Sequence, residues 1–189
     1  MPRERTAPRR LLLPLLLLAC KPPPPCGPPG APTRVQLLAA ASDAPNVDDD
    51  GAAWPVNLRI YELAREPAPE SLDFTALFTD AKSVLGDSLL ATHEQTAFPG
   101  QQYRWTIDLA PDTAHVLVAG LVRRPLGDAW YLVNAAPVRD AATCHDPCIF
   151  LALDRGELSG GRFPPAGFPV DAFATACAPV VAPRPGAPR

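Results

Sequence analysis

The chain lacks several features that would place it in a common functional class. Its 17 Lys and Arg residues are outnumbered by 20 Asp and Glu, and this balance argues against a protein that binds nucleic acid. It has no apolar run of about 20 residues, the length needed for a membrane-spanning helix. It also has no sustained apolar period of 3.6 residues, and its 26 prolines further argue against a bundle of long helices.

Catalytic signatures are equally scarce. The sequence contains no Gly-x-Ser-x-Gly nucleophile motif and no phosphate-binding glycine loop. Of the three histidines, His93 and His115 fall in strand-like segments, and we interpret them as packed or surface residues. The acidic stretch Asp48–Gly51 misses the spacing of an EF-hand calcium loop, which favours a solvated loop tip or a partner contact. We therefore predict that these residues form no catalytic or metal site and that the chain binds no cofactor.

The first 20 residues have the layout of a secretory signal. An Arg-rich head precedes the apolar run Leu11–Ala19, which is too short for a permanent membrane anchor. The motif Leu17-Leu18-Ala19-Cys20 resembles the lipobox of bacterial lipoproteins, in which the signal is cut before the Cys and the Cys is acylated. We therefore predict a signal peptide over residues 1–19 and a lipid on Cys20; an ordinary signal peptide with an incidental Cys is the alternative. Lys21, in place of the Asp typical of inner-membrane lipoproteins, favours the outer membrane.

Proline is concentrated on both sides of the predicted domain. Residues 20–32 hold the lipidated Cys and a Pro-rich stretch, which predicts a stiff, extended spacer of about 3.1 Å per residue. A ligand for a proline-binding module is the other interpretation of this stretch. Residues 178–189 are again Pro-rich and are predicted to be disordered. The folded domain is therefore expected over residues 33–177.

Within that domain, short β-rich segments alternate with turn signals, which favours strands. Ser71–Phe78 is predicted as the one helix, with Ser71 as its N-cap. Pro99-Gly100 and residues 125–128 are predicted to be hairpin turns. This pattern predicts an all-β fold, an antiparallel sandwich of two sheets with a short helical addition. The predicted strands are Arg34–Ala41, Val56–Leu63, Ser88–Phe98, Gln101–Leu109, His115–Val122, Trp130–Ala135 and Ile149–Leu153.

Four cysteines remain if Cys20 is acylated. An even number in an oxidising compartment predicts two disulfides, for which three connectivities are possible. We favour Cys144–Cys148 and Cys26–Cys177. A metal or redox site around Cys144, His145 and Cys148 is the alternative. It lacks a second ligand cluster, and its two Cys are separated by three residues rather than the two of thioredoxin-type pairs.

Several segments, taken together and in order, resemble the TssJ (SciN/VasD) family, the outer-membrane lipoproteins of bacterial type VI secretion systems. The sequence departs from the family pattern at Val47 and Glu62, where Pro and Gln are usual. The region from Pro137 onward has no counterpart that we recognise in the family. The segments that carry the resemblance are Val35–Ser42, Asn46-Val47-Asp48, Pro55–Leu63, Asp73–Phe78, Leu85–Leu89, Phe98–Gln101 and Trp130.

The resemblance implies a transthyretin-like sandwich and a structural role without catalysis. It implies an outer-membrane, periplasm-facing protein that anchors the periplasmic domain of the inner-membrane protein TssM, with TssL in the same complex. The loop Asp43–Trp54 would then contact TssM. A lipoprotein that binds a small ligand in an aromatic cleft, built from Trp54, Tyr103 or Trp130, is the alternative function. The residues of the implied partner contact are Asn46, Val47, Asp48, Asp49, Asp50 and Gly51.

Overall fold

The computed structural model describes residues 33–139 and 144–173. Several predicted features lie outside these residues: the signal peptide 1–19, the lipidated Cys20 with the spacer to residue 32, and the tail 178–189. Cys26 and Cys177 lie outside them too. Within the described residues, no helix is long and apolar enough to cross a bilayer.

Eight strands and two short helices account for most of the described residues. The strands are β1 Thr33–Ala41, β2 Val56–Leu63, β3 Leu89–Ala97, β4 Gln102–Leu109, β5 His115–Leu121, β6 Tyr131–Ala135, β7 Cys148–Asp154 and β8 Glu157–Gly161. The helices are α1 Phe74–Thr79 and α2 Ala81–Leu85, with 3-10 turns at Pro69–Ser71, Gly86–Ser88 and Val170–Phe173. The first sheet has the order β4-β1-β7-β8 and the second has the order β3-β2-β5-β6.

This architecture confirms the prediction of a mainly β fold with two sheets and a short helical addition. All seven predicted strands are present, each within one residue of its predicted ends, whereas β8 was not predicted. The prediction that the sheets are wholly antiparallel is wrong, because β1 and β7 run parallel, with Gln36 opposite Cys148 and Ala41 opposite Leu153. Alternation of apolar residues reports which face of a strand is buried, but it carries no information on the direction of a distant partner. The finer assignment to a transthyretin-like sandwich stays a prediction.

The sequence had suggested that the turn at Pro99-Gly100 closes a hairpin. In the structure this turn instead connects the two sheets. It joins β3 to β4, but β3 pairs with β2 and β4 pairs with β1. Gly100 has a φ of 70°, and its N–H donates to the carbonyl of Ser42 at 2.8 Å. The other predicted hairpin is confirmed, since β5 and β6 pair directly.

The helical addition begins two residues later than predicted for a Ser71 cap. The Asp73 carboxylate caps α1 by accepting from the N–H of Ala76 at 2.8 Å, while the Ser71 hydroxyl donates to the carbonyl of Ala68. The helical segment packs on the second sheet, where the Tyr61 hydroxyl of β2 donates to the carbonyl of Leu77. Trp130 is 3% exposed and makes an edge-to-face contact with Phe74 at a centroid distance of 5.1 Å.

The central strands of the first sheet, β1 and β7, have buried residues on both faces. Leu37 belongs to the main core, whereas its neighbour Leu38 points to the opposite face, where it packs with Phe150. Phe168 and Phe173 cover that second face, with Phe168 at 5.4 Å from the Phe150 ring and 5.5 Å from the Phe173 ring. The described part of the region from Pro137 onward therefore supplies β7 and β8 of the first sheet as well as Phe168 and Phe173, which cover it.

A buried carboxylate ties the second sheet to the connection between β4 and β5. Glu62 is 1% exposed, and its Oε1 lies 2.7 Å from Nε2 of His93. Its Oε2 accepts from the N–H of Ala110 at 2.8 Å and from the Thr113 hydroxyl at 2.7 Å. Burial alone would raise the pKa of Glu62. The hydrogen bonds from His93, Ala110 and Thr113 outweigh that effect and lower the pKa below its usual value.

We expect this network to make the stability of the domain sensitive to acid. Because the pKa of Glu62 is lower in the folded chain, its stabilising contribution is complete above the unfolded pKa of about 4.3 and is lost as the pH falls through the folded pKa. Glu62→Gln should flatten the acid limb of the stability profile. Glu62→Ala leaves buried donors unpaired and should cost about 2–4 kcal/mol at pH 7.

The measurement is urea unfolding from pH 3 to 7 for the wild type and both variants. Glu94→Gln, an exposed carboxylate on the neighbouring strand, is the control. Acid limbs of equal slope in the wild type and Glu62→Gln would contradict this prediction.

Candidate partner-binding loop

The predicted contact residues lie in the connection between β1 and β2, residues 42–55, which we call the β1–β2 loop. An isolated bridge between Val47 and Ala53 closes its outer part. The N–H of Gly51 donates to the carbonyl of Asp48 at 3.2 Å, and Gly51 has a φ of 80°, which glycine adopts without steric cost. The prediction of a loop over Asp43–Trp54 is therefore confirmed, and its outer part is a tight turn.

Asn46 anchors this loop from inside the protein. Its side chain is 5% exposed, so it is not available as a surface contact. Its Oδ1 accepts from the N–H of Arg123 at 2.9 Å, and its Nδ2 donates to the carbonyl of Pro55 at 3.3 Å. The Asn46 carbonyl also accepts from the N–H of Trp54 at 2.7 Å. Asn46 therefore contributes to the site by fixing the shape of the loop.

Asp48 is turned into the loop. Its Oδ1 accepts from the N–H groups of Ala52 at 2.8 Å and Asp50 at 3.1 Å, and its Oδ2 accepts from Nε1 of Trp54 at 2.8 Å. These hydrogen bonds hold the pKa of Asp48 below its usual value, and the bond from the Trp54 indole has the largest effect. The guanidinium of Arg123, at 3.9 Å, lowers the pKa further. Of the predicted contact residues, Val47 is half-buried, and only Asp49, Asp50 and Gly51 form the exposed tip.

Two neighbouring connections hold the β1–β2 loop in place. In the β5–β6 connection, Arg124 forms an ion pair with Asp49, and the Arg123 guanidinium lies over the Trp54 ring at 5.4 Å. In the β7–β8 turn, the N–H of Arg155 donates to the carbonyl of Ala44 at 2.9 Å. The loop is thus packed between two other connections at one end of the sandwich. Asp48 and Asp49 face arginines, so the surface of the loop is of mixed charge rather than acidic.

An exposed apolar surface lies beside the loop tip. Trp54 is 49% exposed and Leu121 is 40% exposed, and both line a shallow groove together with Pro55 and Arg123. We call these four residues the Trp54 surface. Arg123 and Leu121 could not be associated with the loop from the sequence, because they lie almost 70 positions away along the chain. The only local signal was the pair Trp54-Pro55 at the end of an acidic loop.

The aromatic residues proposed for a small-ligand cleft do not converge. Of the three, Trp54 alone lines a described groove. Trp130 is buried against α1, and Tyr103 is stacked on Trp105 with a centroid distance of 4.8 Å. No observation on the described residues therefore favours that alternative.

The histidines and cysteines have separate positions. His93 lies in β3 and His115 in β5, in strands as predicted. Cys148 begins β7 and is half-buried, whereas Cys144 is exposed and has a φ of 56°. Cys26 and Cys177 lie outside the described residues, and both predicted disulfide pairs stay predictions. Among the residues that the structure describes, no three His, Cys, Asp or Glu side chains are grouped as metal ligands.

Comparison with known proteins places this β-domain among the lipoproteins of a bacterial secretion system. The model of the type VI secretion lipoprotein family, which includes VasD, EvfM and TssJ, matches residues 33–154. The chain belongs to this family, and the resemblance seen in the sequence is confirmed. The match ends at Asp154, so β8 and the covering residues Phe168 and Phe173 follow the matched part.

Solved structures of this family share the fold. The T6SS lipoprotein TssJ1 from Pseudomonas aeruginosa is 26% identical, with a TM-score of 0.58 over 68% of this chain and 96% of that chain. Serratia marcescens Lip, a membrane-bound component of the type VI secretion system, is 23% identical, with a TM-score of 0.59 over 68% and 97%. A chain in the structure of the T6SS protein TssM C-terminal domain from EAEC is 21% identical, with a TM-score of 0.56 over 67% and 96%. No curated protein sequence matches the chain significantly.

Proposed function

We propose that this protein is a structural component of a type VI secretion membrane complex. Acylated Cys20 holds it in the outer membrane, with the β-domain facing the periplasm. The β-domain binds the periplasmic domain of TssM and so tethers TssM, with TssL in the same complex, to the outer membrane. Family membership supports this role, and so does the likeness to a chain in a TssM C-terminal domain structure.

The observation that carries the proposal is the preformed β1–β2 loop. The side chains of Asn46 and Asp48 form hydrogen bonds within the protein. Arg123 and Arg124, in the β5–β6 connection, form ion pairs with Asp48 and Asp49 of the loop. A loop that is already ordered loses little conformational entropy on binding, which favours affinity. Trp54 supplies the large aromatic side chain that often dominates the energy of an interface. The proposed contact is therefore the Trp54 surface, with the loop tip as its polar rim.

Direct binding is the test of this proposal. The full chain, purified from membranes in detergent, would be immobilised and titrated with the purified TssM periplasmic domain of the same secretion system. We expect saturable binding, and none to an unrelated periplasmic domain of similar charge. Absence of saturable binding to the TssM domain would contradict the tethering role.

A further inference from the structure

Cys148 packs at the edge of the second apolar cluster, on the outer face of the first sheet. It is half-buried against the cluster formed by Leu38, Phe150, Phe168 and Phe173. Cys148 and Phe150 are two positions apart on β7, so their side chains point to the same face, about 7 Å apart along the strand. Phe173, the last described residue, therefore belongs to the same cluster that Cys148 contacts.

Cys177 follows Phe173 by only four residues. Four residues of extended chain span about 13 Å, and a disulfide needs its two Cα atoms within about 7 Å. Cys177 can therefore reach the sulfur of Cys148 while Phe173 keeps its place in the cluster. No other cysteine follows Phe173 in the sequence.

A local bond between Cys144 and Cys148 is disfavoured by the course of the chain. Such a bond requires the five residues to fold back on themselves, but residues 144–147 contain no helical turn, β-turn or bend. The Pro147 carbonyl already accepts from the N–H of Gln36 at 2.9 Å, so the chain runs alongside β1 before it reaches Cys148. Asp146 extends this contact, since its carboxylate accepts from the Gln36 amide at 3.4 Å.

The remaining two cysteines each precede a strand of the parallel pair β1 and β7. Because Gln36 is opposite Cys148 and the strands run in the same direction, the chain enters both strands at the same end. Cys144 lies four residues before Cys148 at that end, and Cys26 lies seven residues before Thr33, where β1 begins.

We propose that Cys148 forms a disulfide with Cys177, and Cys144 one with Cys26, so that the segments on both sides of the domain are fastened to the first sheet. This connectivity differs from the one predicted from sequence spacing. When each bond forms, the two thiols lose two protons and two electrons. A disulfide-containing oxidant of the cell envelope accepts them and is reduced to its dithiol form. The Cys148–Cys177 bond holds the covering segment on the outer face of the first sheet.

The Cys26–Cys144 bond also sets the length of the membrane tether, a consequence that rests on the proposed lipidation of Cys20. Without the bond, thirteen residue steps connect Cys20 to Thr33 at the start of β1, about 40 Å in polyproline geometry. With it, six residue steps connect Cys20 to a fixed point on the domain, about 19 Å in the same geometry. Oxidation therefore holds the β-domain closer to the outer membrane.

Peptide mapping of the full chain, alkylated and purified without reductant, tests the connectivity. Cleavage before Asp separates the cysteines, because Asp146 lies between Cys144 and Cys148, and Asp171 precedes Cys177. We expect the peptide 146–153 to be linked to the peptide that begins at residue 171. A link between the peptides 140–145 and 146–153, a link from 146–153 to the peptide with Cys26, or alkylation of Cys148 would overturn the proposal.

Two matched variants extend the test. Cys177→Ser should expose Cys148 to alkylation while Cys144 stays protected, and it should lower the Tm by about 5–15 °C. Cys26→Ser should expose Cys144 and leave Cys148 protected. The reverse pattern of alkylation would contradict the assignment. None of these readouts depends on TssM binding or on membrane attachment, so their outcome is independent of the proposed function.

Discussion

Loss of Cys20 should move the protein from the membrane fraction to the soluble periplasmic fraction. Each CH₂ group of a buried acyl chain contributes about 0.8 kcal/mol to membrane attachment, and several chains give lasting attachment. We therefore expect Cys20→Ser to reduce the membrane-bound share at least tenfold. The substitution should be combined with a cleavable signal peptide that ends in Ala-x-Ala, because an uncleaved Leu11–Ala19 run would itself hold the chain at the membrane.

The control for this experiment is Cys26→Ser behind the native signal, which removes a thiol six positions further on and should stay in the membrane fraction. Fractions should be washed in high salt and taken from cells without TssM, so that a partner cannot retain the protein. Recovery of the Cys20→Ser chain in the washed membrane pellet would show that attachment does not depend on the lipid.

Removal of the Trp54 side chain should have the largest effect on TssM binding. Trp54 is half-exposed, yet its ring is fixed by the Asp48 carboxylate and by the Arg123 guanidinium, so it is presented in one orientation. Fixed aromatic side chains at interfaces contribute about 2–4 kcal/mol when truncated to Ala. We therefore expect Trp54→Ala to raise the Kd for the TssM periplasmic domain at least 30-fold, measured by titration calorimetry.

Two comparisons separate the Trp54 surface from the loop tip. Phe163→Ala removes an aromatic side chain of similar exposure outside the loop and should leave the Kd unchanged. Asp49→Ala combined with Asp50→Ala removes charges at the rim, which should alter the Kd by about threefold or less and mainly change its dependence on salt. If the tip variant loses binding and Trp54→Ala retains it, the contact lies at the acidic tip, as the sequence suggested.

The helical addition shows how much of a local element could be predicted from residue types alone. The segment Ser71–Phe78 was predicted as helical, because apolar residues recur there after a capping residue. The predicted cap, Ser71, and the observed cap, Asp73, lie only two positions apart. The choice between them depends on a 3-10 turn that directs the Ser71 hydroxyl to the Ala68 carbonyl, and such backbone geometry is not encoded in residue type alone.

The candidate site was predicted only in part, for a similar reason. The loop and its acidic tip were evident from Asp48 to Gly51, but the sequence suggested that all these groups face solvent. Burial of Asn46 and the inward turn of Asp48 depend on Arg123 and Trp54, and one of these lies in a distant connection. Pairings across so many residues are set by the packing of the two sheets.

The sequence by itself determined the family and seven of the eight strands, and it is the basis of the predicted lipobox at Cys20 and of the predicted partner contact in the β1–β2 loop. These features are local, because apolar alternation, turn residues and short motifs are each contained within a few positions. Only the tertiary structure decided that β1 and β7 run parallel, that Phe168 and Phe173 cover the first sheet, and that Trp54 and Arg123 form one surface. Each of these joins residues far apart in the chain, where many pairings satisfy the same local pattern and the burial of a shared core selects one.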